Sequence, residues 1–225
     1  MPARKGSKGF KNKNFIKING IPIVKKAAKI GTSINMINYT VISSDSKKIL
    51  NLTEDNKRII KLKRSSKIAK DNTPMLPVLI DAIKFVEKQI GKIVHYLIIL
   101  DPTSPLRKSS DIKNAMKIFE RKNLDLLISV NESDHNPYFS MLEKQNRYYS
   151  LPKDSTMNIG SRQQAKKVFN INTLVWIYSR YAIMKIKKRI PSKTDIMITS
   201  EDRSTEINKK TDWIKIKNYL KNKKI

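Results

Sequence analysis

The chain has 225 residues, enough for one ordinary α/β domain with a substantial core. It contains no cysteine, which excludes disulfides and thiolate metal sites and is compatible with the cytoplasm, where we expect the protein to reside. Its apolar stretches fall far short of the roughly 20 residues that cross a bilayer, so we expect no membrane insertion.

The formal net charge of +28 raises the possibility of nucleic-acid binding. Of the 47 basic residues, however, 37 are lysine and only 10 are arginine, and they are spread along the whole chain. Arginine is the favoured reader of phosphate and base edges, and no zinc knuckle, aromatic stripe or helix-turn-helix pattern accompanies the charge. We therefore interpret most of these lysines as solvated and consider a nucleic-acid partner the weaker hypothesis.

Apolar runs alternate with helical patterns along the chain, which predicts strand–helix–strand units and a mainly parallel sheet. Strands are expected at 39–43, 93–100, 125–130, 168–179 and 195–199. Helices are expected at 74–89, from 109 or 110 to 120, at 181–188 and at 209–221. Residues 131–167 look polar and irregular. No internal repeat or inter-domain linker is visible, so we expect one domain over 1–225.

The segment before residue 15 concentrates glycine, hydroxyl and cationic side chains. Gly6 and Gly9 allow the backbone to turn its N–H groups towards one point, and cations then complete a pocket for a polyanion such as a nucleoside triphosphate. A solvated basic terminus is the alternative, and it stays open on this segment alone. The polar and cationic members of the segment include Arg4, Lys5, Ser7, Lys8 and Lys13.

Three motifs occur in a fixed order: PARKGSKGFKNKN at 2–14, TSPLR at 103–107 and EDRSTEI at 201–207. Together they resemble the acylneuraminate cytidylyltransferase (CMP-N-acetylneuraminic acid synthetase) family over nearly the whole chain. The resemblance implies a Rossmann-like nucleotidyltransferase fold, with a mainly parallel mixed sheet flanked by helices. It also implies that a segment of about 131–170 protrudes, carries part of the sugar site and forms a homodimer.

The implied reaction is attack by the hydroxyl of an acidic nine-carbon sugar on the α-phosphorus of CTP, with pyrophosphate leaving and Mg²⁺ bridging phosphate oxygens. Carried over by resemblance, the catalytic cations are Lys8, Arg4 and Lys13. The wider nucleotide-binding set is Arg4, Ser7, Lys8, Gly9, Lys13, Asn14, Arg64 and Thr73. For Arg64, ordinary surface charge beside Lys61 and Lys63 is the alternative.

The resemblance implies that the sugar side is formed by residues directly after the strand predicted at 93–100 and by residues between 162 and 172. They are Asp101, Thr103, Ser104, Arg162, Gln163 and Asn172. Family members commonly have glutamine at the position of Asp101, and an aspartate there would repel a sugar carboxylate unless a cation intervened. Arg107 is expected to hold the turn in place. An Arg-Gln pair in a loop is usually plain surface, so only its position supports Arg162 and Gln163.

The predicted magnesium site departs from the family pattern. The family has Ser-x-Asp-x-Asp near its C-terminus, whereas this chain has Glu206 and Asn208 at the two acidic positions. Alternation along an extended segment places both on one face, but the amide carries no charge, so metal affinity should fall. Asp202 and Asp212 are candidates for compensation. A catalytically reduced homologue that binds nucleotide or partners without turnover is therefore the alternative function.

The apolar strand that precedes the PAR segment in the family is missing from this chain. Without it, neighbouring strands should present unpaired N–H and C=O groups, each costing about 1–3 kcal/mol if buried. We expect either that the true start lies upstream or that this form is fragile.

Overall fold

Strands and helices alternate along the computed structural model, which describes residues 1–6, 10, 12–152 and 162–222. The strands are β1 (Lys17–Ile18), β2 (Ile21–Pro22), β3 (Thr40–Ser44), β4 (Ile59–Lys63), β5 (Tyr96–Ile99), β6 (Leu126–Glu132), β7 (Glu143–Gln145), β8 (Tyr148–Ser150), β9 (Phe169–Ser179) and β10 (Thr194–Ile198). The helices are α1 (Ile23–Thr32), α2 (Lys47–Leu50), α3 (Met75–Ile90), α4 (Ser109–Arg121), α5 (Glu201–Ser204) and α6 (Lys210–Asn222).

The main sheet has four strands in the order β10-β6-β9-β5. β10 runs parallel to β6, whereas β9 is antiparallel to both β6 and β5. A separate parallel pair joins β3 to β4, and short antiparallel hairpins join β1 to β2 and β7 to β8. The predicted α/β class with a mixed, helix-flanked sheet is confirmed. The expectation that the sheet is mainly parallel is wrong for the described strands, because two of the three pairings in the main sheet are antiparallel.

Helices cover both faces of the main sheet because its central strands are apolar on both sides. Along β6, Leu126 and Ile128 pack with Leu79 and Ile83 of α3, while Leu127 packs on the other face. That second face meets the buried residues Ile112, Met116 and Phe119 of α4. The alternation of side chains along a strand explains how one apolar run serves two helical layers.

Most predicted elements are present with small shifts of their ends, but three expectations need correction. Residues 131–167 are not uniformly irregular, because β6 continues to Glu132 and the β7–β8 hairpin follows. α4 is capped at Lys108, whose backbone N–H donates to Asp111, rather than by a serine. The predicted helix at 181–188 is a π-helical turn, Ala182–Ile186. Among the described helices, none is long and apolar enough to cross a membrane.

Candidate functional site

The turn that follows β5, residues 102–107, is fastened to the sheet by a buried arginine. Arg107 donates to the carbonyl oxygens of Asp101 and Thr173, both at 2.9 Å, and to that of Leu174. Burial lowers the pKa of Arg107 to about 10, so its guanidinium remains charged at neutral pH. The turn and the β9 backbone are thereby held in one geometry, as the sequence predicted for this arginine.

Two carboxylates meet at the hydroxyl of Thr103. Its Oγ1 lies 2.7 Å from Asp101 Oδ1 and 3.0 Å from Glu206 Oε1. The backbone N–H of Thr103 also donates to Asp101 Oδ1, at 3.1 Å. One hydroxyl proton cannot serve both carboxylates fully. The turn therefore holds two negative groups close together at the carboxyl end of a strand, where open α/β sheets bind ligands.

The C-terminal segment lies against this turn and presents its polar side chains on one side. Ile207 is buried and donates its N–H to Thr103 O at 2.9 Å, which leaves the flanking Glu206 and Asn208 on the opposite face. Asp212 was one of two candidates to compensate for the missing charge at position 208. Its carboxylate instead accepts hydrogen bonds from the backbone N–H groups of Asn208 and Lys209. The carboxylate that the structure brings to Glu206 is instead Asp101.

Lys13 joins the N-terminal segment to the C-terminal one. Its ammonium lies 3.3 Å from Asn208 Oδ1 and 3.4 Å from Ile207 O. Asn14, directly after it, is buried and donates from Nδ2 to Arg4 O at 2.8 Å, so it closes the loop by a side-chain hydrogen bond as predicted. The buried Oδ1 atom of Asn14 has no partner among the described residues.

Arg4 stands at the start of the loop and is half-buried. Its guanidinium forms an ion pair with Asp71, and the next backbone N–H, of Lys5, donates to Asp45 Oδ1 at 2.7 Å. Arg4 and Lys13 are thus brought to the two ends of the loop. The predicted ligands Ser7, Lys8 and Gly9 lie outside the described residues.

Arg64 and Thr73 hold backbone structure in the described chain. The buried Arg64 donates from Nε to Ser43 Oγ at 3.1 Å and from Nη2 to Ser43 O at 2.9 Å, and burial lowers its pKa. Thr73 donates its backbone N–H to Lys70 O in the turn before α3. Their contact with a nucleotide stays a prediction, and for Arg64 the bonds to β3 are a sufficient reason for its presence.

Asn172 is committed to the sheet. Its Oδ1 accepts from Ser129 Oγ at 2.6 Å and from the N–H of Leu174 at 3.1 Å, while Nδ2 donates to Thr199 Oγ1 at 2.9 Å. This network lies where the register between β6 and β9 shifts. Both ends of the amide are engaged, so a sugar contact would have to displace one of these bonds.

Other residues on the sugar side are placed less directly. Ser104 shares a 2.6 Å hydrogen bond with Thr173 Oγ1, a residue that sequence reasoning missed because it lies within an apolar strand. The one feature of the sequence that could have revealed Thr173 is that a polar residue stands at the start of that apolar run. Arg162 and Gln163 belong to a 3₁₀ turn, Arg162–Gln164, in which Gln163 is exposed. Their contact with a sugar stays a prediction.

Comparison with known proteins gives a consistent result. A family model described as cytidylyltransferase matches residues 1–212. The chain is 31% identical to the CMP-N,N'-diacetyllegionaminic acid synthase of Campylobacter jejuni, covering 97% of this chain and 92% of that protein. It is 28% identical to post-translational flagellin modification protein B of Campylobacter coli, covering 99% and 94% of the two chains.

A similar fold occurs in a solved CMP:2-keto-3-deoxy-manno-octonic acid synthetase complexed with CTP. The TM-score is 0.66 at 11% identity, and the match covers 99% of this chain and 97% of the other. At that identity the likeness concerns the fold alone. The family match over residues 1–212, together with these relatives, shows that the chain belongs to the cytidylyltransferases, in the acylneuraminate cytidylyltransferase family that its motifs resemble.

Proposed function

We propose that this protein is a CMP-sugar synthetase that uses CTP to activate an acidic nine-carbon sugar and releases pyrophosphate. The observation that carries the proposal is the Lys13–Asn208 contact, which brings the cationic loop against the segment bearing Glu206 and the 102–107 turn. A triphosphate and an acceptor hydroxyl would then meet at one edge of the sheet. The relatives named as CMP-sugar synthases support the same reaction class.

The reaction needs negative charge on the triphosphate to be neutralised while the hydroxyl attacks in line. A bond forms from the sugar oxygen to the α-phosphorus, the bond to pyrophosphate breaks, and the hydroxyl proton is released. We assign charge neutralisation to Lys8, Arg4 and Lys13. Ser7, Gly9 and Asn14 would shape the loop around the phosphates.

Magnesium fits the oxygen donors of this edge. Asp101 and Glu206 approach the same hydroxyl, and two carboxylates held this way favour a cation between or beside them. Among the described residues, no group of three or more His, Cys, Asp or Glu side chains is assembled for a metal. Mg²⁺ commonly takes only one or two protein carboxylates and completes its shell with water and substrate phosphates. We propose Glu206 and Asn208 as its protein ligands, with Mg²⁺ supplying charge neutralisation.

The sugar is proposed to lie beside the 102–107 turn. Thr103 and Ser104 would contact it through hydroxyl groups that are buried and hydrogen-bonded in the described chain, so the sugar would displace one of these bonds. Arg162 with Gln163 would recognise the sugar carboxylate from the neighbouring segment. Asp101 is anionic, so it would contact a hydroxyl or amide of the sugar rather than its carboxylate. The choice among acidic sugars depends on these contacts.

The decisive experiment measures pyrophosphate release from purified protein with CTP, Mg²⁺ and a panel of acidic nine-carbon sugars. We expect turnover on at least one sugar, its abolition by Lys8→Ala and its weakening by Glu206→Ala. Lys88→Ala, an exposed lysine on α3, is the matched control and should retain full activity. Turnover that survives Lys8→Ala unchanged would contradict the assigned role of the loop.

The second candidate is a homologue that binds CTP without turnover. The aspartate at position 101 adds a negative charge beside the proposed sugar site, and the amide at position 208 removes one from the proposed metal site. Both changes favour this candidate. Calorimetric CTP binding without pyrophosphate on any sugar would support this candidate. Tight RNA binding that persists at about 200 mM salt would instead favour a nucleic-acid-binding protein.

A homodimer, formed through a protruding segment of about 131–170, is part of the proposal, as is a cytoplasmic location where CTP is available. Large apolar and aromatic side chains are exposed on and before the β7–β8 hairpin, with Leu142 69% and Tyr148 79% exposed. Clustered exposure of this kind marks interaction surfaces. Sedimentation analysis should give a dimer that Leu142→Glu with Tyr148→Glu converts to monomer, whereas Ile93→Glu, an equally exposed isoleucine elsewhere, leaves it intact.

A further inference from the structure

An ion pair between Arg203 and Asp111 joins the C-terminal segment to α4. The Arg203 guanidinium donates from Nη2 to Asp111 Oδ2, and only 23% and 11% of the two side chains are exposed. The same Oδ2 atom accepts the backbone N–H of Lys108 at 2.7 Å, which fixes the start of α4. One carboxylate oxygen therefore connects the start of a helix to an arginine that is distant along the chain.

The helix that carries Asp111 is a firm support for this arginine. α4 begins at Ser109, directly beyond the 102–107 turn that bears Thr103. Its inner face is buried in the close-packed core beneath the main sheet, through Ile112, Ala115, Met116 and Phe119. The position of Asp111 is therefore fixed relative to both the core and the turn.

Arg203 lies in the single helical turn α5, three residues before Glu206. After α5 the backbone is extended, and the N–H of Ile207 then donates to Thr103 O at 2.9 Å. Glu206 thus lies between two attachments to the same support, the ion pair and this backbone bond. A slip of one residue would displace Glu206 by about 3.3 Å and would break both attachments.

The pair is poorly suited to a purely stabilising role. The buried Nε atom of Arg203 has no hydrogen-bond partner among the described residues. A guanidinium taken out of water with one donor unfilled loses hydration that a single ion pair replaces only in part. Asp111 would also cap α4 without the arginine, because the Lys108 N–H already reaches its carboxylate. What Arg203 adds is a fixed position for the residues that follow it.

We propose that Arg203 is a positioning residue, which sets the place of Glu206 through its ion pair with Asp111. This inference rests on the proposed function, in which Glu206 holds Mg²⁺ on the triphosphate. Glu206 Oε1 lies 3.0 Å from Thr103 Oγ1, and the pair keeps the carboxylate there before metal and nucleotide bind. A ligand group that is already in place loses less conformational freedom when the metal arrives.

The chain contains a matched ion pair at the opposite end of the main-sheet strands. Arg180 donates to Glu87 of α3 from Nε at 2.7 Å and from Nη2 at 3.1 Å. Glu87 also accepts the backbone N–H of Val94 at 3.0 Å, so this carboxylate too serves an arginine and a backbone group. Arg180 follows β9, whose end lies beside the start of β5, whereas the 102–107 turn follows the end of β5. Arg180→Met therefore removes a comparable pair away from the site.

The first test compares Arg203→Met with Arg180→Met in the full chain, with CTP and an acidic sugar that supports turnover. Arg203→Met should raise the Mg²⁺ concentration for half-maximal pyrophosphate release at least tenfold and lower kcat. Its affinity for CTP in EDTA, measured by calorimetry, should stay within twofold because the cationic loop is unchanged. Arg180→Met should leave all three values within twofold. An unchanged Mg²⁺ requirement in Arg203→Met, or an equal rise in Arg180→Met, would overturn the proposal.

Asp111→Asn tests whether the two residues act as a unit, and it is the second variant should Arg203→Met fail to fold. The amide keeps an acceptor for the Lys108 N–H, so α4 can still begin at the same residue. Asp111→Asn and the double variant should raise the Mg²⁺ requirement as much as Arg203→Met does, within about threefold. A double variant in which the two single effects multiply would show that the residues act independently and would overturn the pair.

Amide hydrogen exchange without CTP, metal or sugar separates this inference from the proposed function. Arg203→Met should speed exchange of the Ile207 N–H at least tenfold, and Arg180→Met should leave it within twofold. If the unmodified protein shows no turnover on any sugar, the proposed function fails, while faster Ile207 exchange would still support the positioning role. Unchanged Ile207 exchange in a folded Arg203→Met protein would overturn that role even if the enzyme is active.

Discussion

The 102–107 turn and the described part of the N-terminal segment (residues 1–6, 10 and 12–14) lie at the same edge of the molecule but are built differently. The turn is held by Arg107, a buried cation whose bonds all go to backbone carbonyls. Arg4 of the N-terminal segment makes a half-exposed ion pair with Asp71, and Lys13 reaches Asn208 at 3.3 Å. A cation used for structure is enclosed, whereas a cation kept for a ligand remains partly accessible. This contrast supports assigning the acceptor wall to the turn and phosphate binding to the N-terminal segment.

Replacing the buried arginine tests the structural half of this contrast most strongly. Arg107→Met leaves three carbonyl oxygens without their donor, at about 1–3 kcal/mol each, so we expect unfolding free energy to fall by at least about 3 kcal/mol. Urea denaturation measures the loss. Arg121→Met, an exposed arginine on α4, is the control and should change stability by less than about 0.5 kcal/mol. A loss below about 1 kcal/mol for Arg107→Met would remove its structural role.

The buried amine of the N-terminal segment should make the stability of the protein depend on pH. The pKa of the Met1 amine is about 5 in the folded protein and 8.0 when solvated, so the unfolded chain binds more protons between those values. Stability is therefore greatest above pH 8, decreases as pH falls towards 5 and levels off below it. The expected loss is up to about 4 kcal/mol.

Denaturation at pH 5, 6, 7 and 8 measures this effect, with mass spectrometry confirming that Met1 is retained. A variant with Ser-Gly-Ser-Gly-Ser added directly before Met1 replaces the ammonium by a peptide group and is the control, because its stability should vary less over the same range. A pH profile identical in both proteins would show that the amine is solvated.

Arg4→Ala tests the ligand half of the contrast. We expect CTP affinity to fall about tenfold, or about 1.4 kcal/mol, while unfolding free energy changes by less than about 0.5 kcal/mol because the pair with Asp71 is partly exposed. Calorimetry and urea denaturation give the two values. Asp71→Asn removes the same ion pair but keeps the cation, so it should retain affinity. If Arg4→Ala lowers the free energy of unfolding but leaves CTP affinity normal, then Arg4 has a structural role and does not bind the nucleotide.

Restoring a carboxylate at position 208 should strengthen Mg²⁺ binding, and this is the smallest of the expected effects. Asn208→Asp adds charge beside Glu206, so the Mg²⁺ concentration that half-saturates CTP binding should fall about fivefold, or about 1 kcal/mol. Asp55→Asn, an exposed carboxylate between α2 and β4, is the control and should leave it unchanged. An unchanged Mg²⁺ requirement in Asn208→Asp would place position 208 outside the metal shell.

The sequence by itself determined the family, the α/β class, the four strands of the main sheet and the helices α3 and α4 that cover it. Strands such as β6 and β9 are long apolar runs, and α3 and α4 have clear helical spacing, so local pattern was sufficient. The order of the three motifs indicated which segments would meet. Asn14 closing the loop and Arg107 holding the turn were also predicted from residue type and position.

Tertiary structure alone decided which polar groups face one another. Asp101 and Glu206 are far apart along the chain, and only the contact of Ile207 with the 102–107 turn brings both carboxylates to Thr103. Arg64 and Asn172 turned inward because buried backbone groups and hydroxyls needed their hydrogen bonds. The pairing of β3 with β4 and of β5 with β9 likewise depends on long-range contacts, which residue patterns do not encode.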